Sequence, residues 1–500
     1  MIFLLAACTA PGSKDDTGPV DALDSVESTI GDDSTPTPVD PCATLTWIDG
    51  ARTIETAEDA AGLCADGNAL RGDLDVADSD LVDLSTLDCL CAVEGDLTIT
   101  RNAALGTLAG LEHLQSVTDN FTITRNPIAS LSPLIALAEV GRLYLASDVD
   151  VDLATLPGQP RLGGLRLDGE HVRSLVGLDW LTALDGDLIL AGTSIGDLTP
   201  LAGLTRVGGR LELDENHALT SLAGLGALTD AGELTVTGQG GMTSLAGLDS
   251  LRVIPGDVVV GQNPLLTDLG GLGALTRVDG AFDISDNDAL TTLVGLGTLT
   301  VGTLGIGYND ALTSLEGLEA VTATVEVGIV DNPVLGTLGG FGPTTTTLVH
   351  SLTVSGNPAL RSLAGLESIT AVGLGLLIHQ NDALVDLTGL GGVAEVAGDV
   401  DIDNNDGLQR LDGLDALTTV GGGFAVARND GIESLAGCAP LEEVTGYIRI
   451  YENGALESLE GLPPLTSLGG LDVFGPASAA EATITSAGRP HATNLRIGNS

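Results

Sequence analysis

The chain has 500 residues with 19 basic against 69 acidic side chains, and the resulting net charge of -50 repels nucleic acid and anionic lipid headgroups, which excludes DNA or RNA as a partner. Glycine at 69 residues and aromatics at 2% exclude a thick aromatic core and describe a thin one of Leu, Val, Ile and Ala, with glycine at tight turns. Such a chain need not divide into several globules, because one repeated pattern remains a single unit at any length.

The first element, Leu5-Ala6-Ala7-Cys8, resembles the bacterial lipobox. The resemblance implies that residues 1–8 are a truncated lipoprotein signal and that Cys8 is acylated. Only seven residues precede Cys8 and none is basic, so the expectation is a start codon upstream of Met1. Residues 9–41, rich in Pro, Asp, Ser, Thr and Gly, have the composition of a disordered tether reaching roughly 30 Å. An exported protein is expected, lipid-anchored to the bacterial cell envelope on the surface of the outer membrane. No later segment approaches eighteen uninterrupted apolar residues, so the lipid is the only membrane attachment expected.

Cys42, Cys64, Cys89 and Cys91 fall in residues 42–91 and read as a disulfide-stapled N-terminal cap, with three pairings open. Metal binding is the weaker reading, because Cys89 and Cys91 lack the two-residue spacing of zinc sites and no His pairs with them. The sixth cysteine, Cys438, occupies a leucine position of the repeat and is expected to be a buried thiol.

Residues 92–475 carry the repeat, clearest from Gly95 to Val117. With Leu97 as its mark, equivalent positions run from Leu74 through Phe121, Leu143, Leu165 and Leu188 to Leu471 at spacings of 22 to 25 residues, giving about seventeen coils. Period two at Leu97 and Ile99 predicts a short strand with those side chains inward, and a period near three follows through Leu105, Leu108, Leu111 and Leu114. The glycine at Gly110 and its equivalents rules out a long helix there. Five residues after the mark stands an asparagine, at Asn102, Asn126, Asn216, Asn263, Asn287, Asn309, Asn332, Asn357, Asn381, Asn405, Asn429 and Asn453. An amide at that turn can bond main-chain groups of its own coil and of the neighbouring one, so a structural ladder is expected. Residues 476–500 lose the repeat and read as an irregular C-terminal cap or tail, although Leu495 to Asn499 echoes the strand.

The pattern is similar to bacterial leucine-rich repeats and most closely to the receptor L domain, whose opening cysteine, valine, glycine and strand resemble Cys91, Val93, Gly95 and Leu97-Thr98-Ile99. The resemblance implies a right-handed parallel β-solenoid used for recognition, and it implies that Cys64 pairs with Cys91 and Cys42 with Cys89. The kinase and cysteine-rich regions of those receptors have no counterpart in the sequence, so signalling is not implied.

The residues alternating with the inward ones are the expected binding face: Tyr144, Arg166, Asp168, Glu212, Asp214, Asp283, His379, Asp401, Asp403, Arg449 and Tyr451. Few aromatics stand among them, which favours a protein ligand over a sugar. Arg71-Gly72-Asp73 spells an integrin-binding tripeptide, but the Gly-Asp pair recurs before other strands and the repeat explains it. Gly192 to Gly196 fits a nucleophile-elbow pattern around Ser194 without the strand-to-helix context that chemistry needs. The six histidines have no metal-ligand spacing, and no cofactor is expected; calcium at Asp286, Asp288, Asp403 or Asp406 is the one cation considered. The expectation is a non-catalytic recognition solenoid for a protein partner. Its alternatives are a structural or adhesive envelope spacer and a carbohydrate-active enzyme of parallel β-helix type.

Overall fold

The computed structural model describes residues 40–341, 347–474 and 495–498, so the lipobox and almost all of the tether lie outside the described residues. The chain forms a parallel β-solenoid of about 18 turns, nearly all sheet, with one α-helix among the described residues. Among the described residues no helix is long and apolar enough to cross a membrane.

Each coil contributes two stacked strand segments. The expected one begins at the mark: Leu97 pairs with Phe121, Phe121 with Leu143, and the register holds to Ile448 with Leu471. The other lies just before it, where Val93 pairs with Val117 and Val117 with Val140. In several coils the two fuse into one strand of 8 to 10 residues with a register shift at the bend, as in Ser116–Thr124 and Arg206–Asp214. Sequence periodicity missed this second ladder because only one inward residue per coil, such as Val117 or Val140, marks it.

Both ends of the stack extend beyond the expected boundaries. Within the N-terminal cap, Trp47–Asp49 and Arg52–Ile54 already pair in parallel with Ala69–Arg71 and Leu74–Ala77, so the cap is made of coils. At the other end, Leu495–Gly498 continues the array, with Leu495 opposite Leu471.

The lone helix, Ala57–Asp66, replaces one leucine turn of the first coil. The Thr56 side chain caps it by accepting from the Asp59 N–H, while the Asp59 carboxylate accepts from the Thr56 N–H, a reciprocal box that satisfies two end donors. The disulfides join Cys42 to Cys91 and Cys64 to Cys89, which corrects the pairing the receptor resemblance implied. The helix sets the Cys64 sulfur 3.3 Å from the Thr86 carbonyl, beside the short turn that leads into Cys89. Asn68 donates to the carbonyls of Pro41 and Thr44 and so folds Cys42 onto the level of Cys91, whose own N–H bonds the Asn68 carbonyl.

The core is a single column of side chains, with Leu105, Leu108, Leu111, Leu114 and most of their equivalents buried beside the strand residues. Cys438 sits in this column as expected, and burial pushes its thiol up to about 12, which removes thiolate reactivity. Gly110 shows why the leucine turns need glycine. Its φ of +109° lies in the left-handed region, and a Cβ there would run into the Leu84 carbonyl of the preceding coil. The adjacent Ala109 carbonyl accepts from the Leu84 N–H at 2.7 Å, so the close approach is itself a cross-coil bond.

The asparagines form the expected ladder and are buried. Asn381 is typical: its Oδ1 accepts from the Asn357 N–H at 3.2 Å, and its Nδ2 donates to the carbonyls of Val354 and His379. Its own N–H passes the pattern on to Asn405 Oδ1 at 3.0 Å. Three buried substitutes escaped notice in the sequence, namely Ser79, Thr193 and Gln239. Ser79 and Thr193 turn their N–H and hydroxyl groups to Asn102 and Asn216. Gln239 is one methylene too long, and its Oε1 has no partner among the described residues. The ladder lapses between Asn126 and Thr193, where the corresponding positions are the exposed Asp148 and Glu170.

Replacing Asn381 by Ala orphans buried donors and acceptors on both sides of the rung, and should lower stability by about 1–3 kcal/mol in chemical denaturation. Gln239→Asn should do the reverse, raising the denaturation midpoint by giving the rung a well-placed acceptor at a gain of about 1 kcal/mol. Equal midpoints for wild type and Gln239→Asn would show that the shorter amide does not restore the bond.

Candidate functional site

Much of the acidity serves the backbone. At the leucine turns, Glu112 accepts from the Gly110 N–H at 2.7 Å and Glu367 from Gly365 at 2.9 Å. Before the marks, Asp73, Asp96, Asp187, Asp257 and Asp399 each accept from an N–H of the following coil. Arg71-Gly72-Asp73 is absorbed the same way, with Arg71 lying 4.7 Å over the Trp47 ring and pairing with Glu94 at 3.2 Å.

The outward side of the mark strands is the candidate site. All eleven residues named for it stand on that ladder, one or three residues past a mark, and the structure gathers most of them into two groups. In the first, the Tyr144 hydroxyl donates to Asp168 at 2.8 Å, and Arg166 holds the same oxygen through Nε and Nη2 while lying 5.1 Å over the Tyr144 ring. Burial and the Asp168 carboxylate raise the Tyr144 pKa, so this phenol remains a hydrogen-bond donor at neutral pH. Two coils on, Arg210 bridges Glu233 and Glu212, and Asp214 accepts from the Thr237 hydroxyl at 2.6 Å. Asp283 stands apart from both groups.

The second group lies near the C-terminal end of the array. His379 Nε2 is 3.4 Å from Asp401, within ion-pair reach when the imidazole is protonated. Asp403 is paired with Arg428, whose guanidinium lies 5.8 Å over the Tyr451 ring, and Arg449 lies 5.7 Å over Tyr447. The Asp403 contact raises the Arg428 pKa. Sequence reasoning missed Arg428 because it sits off the strand alternation, and Tyr447 because only positions after the mark were read as outward, although the strand begins before it. Arg428 follows the strand at a left-handed residue with φ of +51°, a position also held by Arg101 and Arg125, and that recurrence was the available signal.

Among the described residues no three His, Cys, Asp or Glu side chains gather to hold a metal ion. Of the four calcium candidates, Asp403 is committed to Arg428, and Asp286 faces a repulsive surrounding: partial burial, Asp288, Asp283 and Asp310 together raise its pKa. No family model matches the chain, and no curated protein matches it. Fold and site therefore define its class: a long parallel β-solenoid with a buried amide ladder and a charged outward strand face.

Two opposite pH effects follow. Hydrogen bonds from Arg101 hold the Asp78 carboxyl below its usual range, those from Arg173 and His171 do the same for Asp150, and the Thr199 hydroxyl and N–H do so for Asp197. Their stabilisation is present above the ordinary aspartate range and lost as pH falls through their lower native values. The raised Asp286 carboxyl costs stability when ionised, a cost relieved as pH falls through its native value. Asp286→Asn should therefore raise Tm at pH 7, with the gain shrinking on acidification; a gain that is constant with pH would show that charge is not its source.

Proposed function

We propose that the protein is an exported, lipid-anchored recognition solenoid, receptor-L-like or leucine-rich-repeat-like in design and without catalysis, whose outward strand face binds a protein partner at the cell surface. One observation carries the reading. Inward and ladder positions hold Leu, Val, Ile, Phe and Asn coil after coil, whereas the outward positions change from Thr98 to Tyr144, Arg166, Glu212, Asp283, Asp401 and Arg449 along one continuous face. A fixed framework carrying a free surface suits recognition of a large partner. The face is cleft by shallow hollows and bears arginine and tyrosine, residues enriched where proteins bind proteins. The net charge of -50 favours a partner with basic character at long range.

Two measurements test the reading. Cells fed a radiolabelled fatty acid should label the wild-type chain and not Cys8→Ala; label retained in the variant removes the anchor. Cross-linking of the full chain on cells should trap a discrete protein, and the yield should fall at least tenfold for Tyr144→Ala combined with Asp401→Lys, with circular dichroism unchanged. Equal trapping by wild type and variant would leave only a spacer, and turnover of a polysaccharide by the purified chain would replace binding with catalysis.

A further inference from the structure

The hollows on the outward side differ in how their charges are spent. In the one bordered by Asp187, Arg210 and Glu233, each charge already has a partner: Arg142 pairs with Asp187, and Arg210 with Glu233 and Glu212. The one at Arg277 is likewise neutralised by Asp279. A third, of about 390 Å³, has a floor with little side chain, made by Gly422, Gly423, Ala425 and Gly446. Asp399 and Asp401 line one wall, Tyr447 and Arg449 the other.

The register fixes the width. Asp401 pairs with Ala425 and Ala425 with Arg449, so the walls stand two strand spacings apart, about 9.5 Å. One end is closed, because Arg428 bridges from Asp403 to the Tyr451 ring beside the wholly buried Ala427. Among the described residues Arg449 has no ion-pair partner, and Asp401 has only His379 at 3.4 Å. Opposite charges thus face each other across an empty floor, too far apart to neutralise one another directly.

We propose that this hollow receives an extended segment of a protein partner carrying one basic and one acidic side chain two residues apart. The proposal rests on the reading of the outward face as a protein-binding surface. In an extended chain, residues two apart share a face about 6.6 Å apart, and long side chains splay over the remaining distance. Running along the solenoid axis, the basic residue meets Asp401 and the acidic residue meets Arg449, while the backbone between them lies over Ala425. A segment with two basic residues would set a cation against Arg449. One with two acidic residues would meet Asp401 and the field of the whole chain.

Blocked, fluorescent pentapeptides with a central glycine test the charge pattern against the full-length protein by anisotropy at physiological ionic strength. The peptide with lysine and glutamate flanking the glycine should bind at least tenfold tighter than its dilysine and diglutamate counterparts. Arg449→Glu should reverse the order in favour of dilysine, Asp401→Asn should abolish the preference, and Glu58→Gln, on the exposed side of the first coil's helix, should leave it intact. Tightest binding of dilysine by the wild type would mean that net charge alone attracts peptides, and would overturn the proposal. So would a preference that survives both Arg449→Glu and Asp401→Asn, or peptide displacement by oligogalacturonate, which would assign Arg449 to an acidic sugar. A partner trapped on cells that keeps its affinity for Arg449→Glu would sink this site and leave the broader reading standing. No trapped partner would sink the broader reading, whatever the peptides do.

Discussion

A coil of some 24 residues must turn back on itself, and at each turn its peptide groups point where no strand partner waits for them. Buried polar groups left unpaired cost about 1–3 kcal/mol each, so the stack depends on how those returns are satisfied. The asparagine side chain solves the sharpest of them. Its carbonyl accepts from the preceding coil and its amide donates both to that coil and to its own strand end, as Asn381 does between Asn357, Val354 and His379. The leucine turn uses what is close at hand: a glycine-borne approach of the Ala109 carbonyl to the Leu84 N–H, and the Glu112 carboxylate over the Gly110 N–H. Leucine burial supplies the driving force, and these polar contacts make the coils stack in one register.

That division explains what the sequence disclosed. Leu97, Ile99, Leu105 and Asn102 recur at fixed offsets because each has one inward or ladder role, so fold class, coil length and outward positions were legible without coordinates. The second strand ladder was hidden, since it asks for only a single apolar residue per coil. The helix at Ala57–Asp66 was hidden as well, because its capping box lies among cap residues that do not repeat. Cysteine pairing was misjudged for a related reason: the helix and Asn68 decide which sulfurs meet, and neither belongs to the repeat.

The candidate site was legible in membership and illegible in grouping. Alternation names every outward side chain on the mark strands, but it gives no weight to one over another. What separates the Asp401–Arg449 hollow from its neighbours is a negative feature, the lack of an ion pair for Arg449 among the described residues, since a glycine floor between charged walls recurs at Asp187 and Arg210. It also depends on Arg428, which leaves the strand and so belongs to neither face of the alternation. The purpose of individual acidic residues was illegible too, since many carboxylates serve N–H groups in the turns.

The lapse of the ladder between Asn126 and Thr193 gives the molecule a seam. Across the intervening coils no buried amide carries the register, and surface contacts take its place: Arg142 reaches Asp187, Tyr144 and Arg166 converge on Asp168, and Arg173 and His171 share Asp150. Such exposed contacts weaken somewhat as salt is added, whereas the buried amides on either side are indifferent to it. The parallel strand pairing and the leucine column still run unbroken through these coils. What changes along the stack is the kind of polar contact that fixes the register, salt-sensitive in these two coils and salt-indifferent on either side.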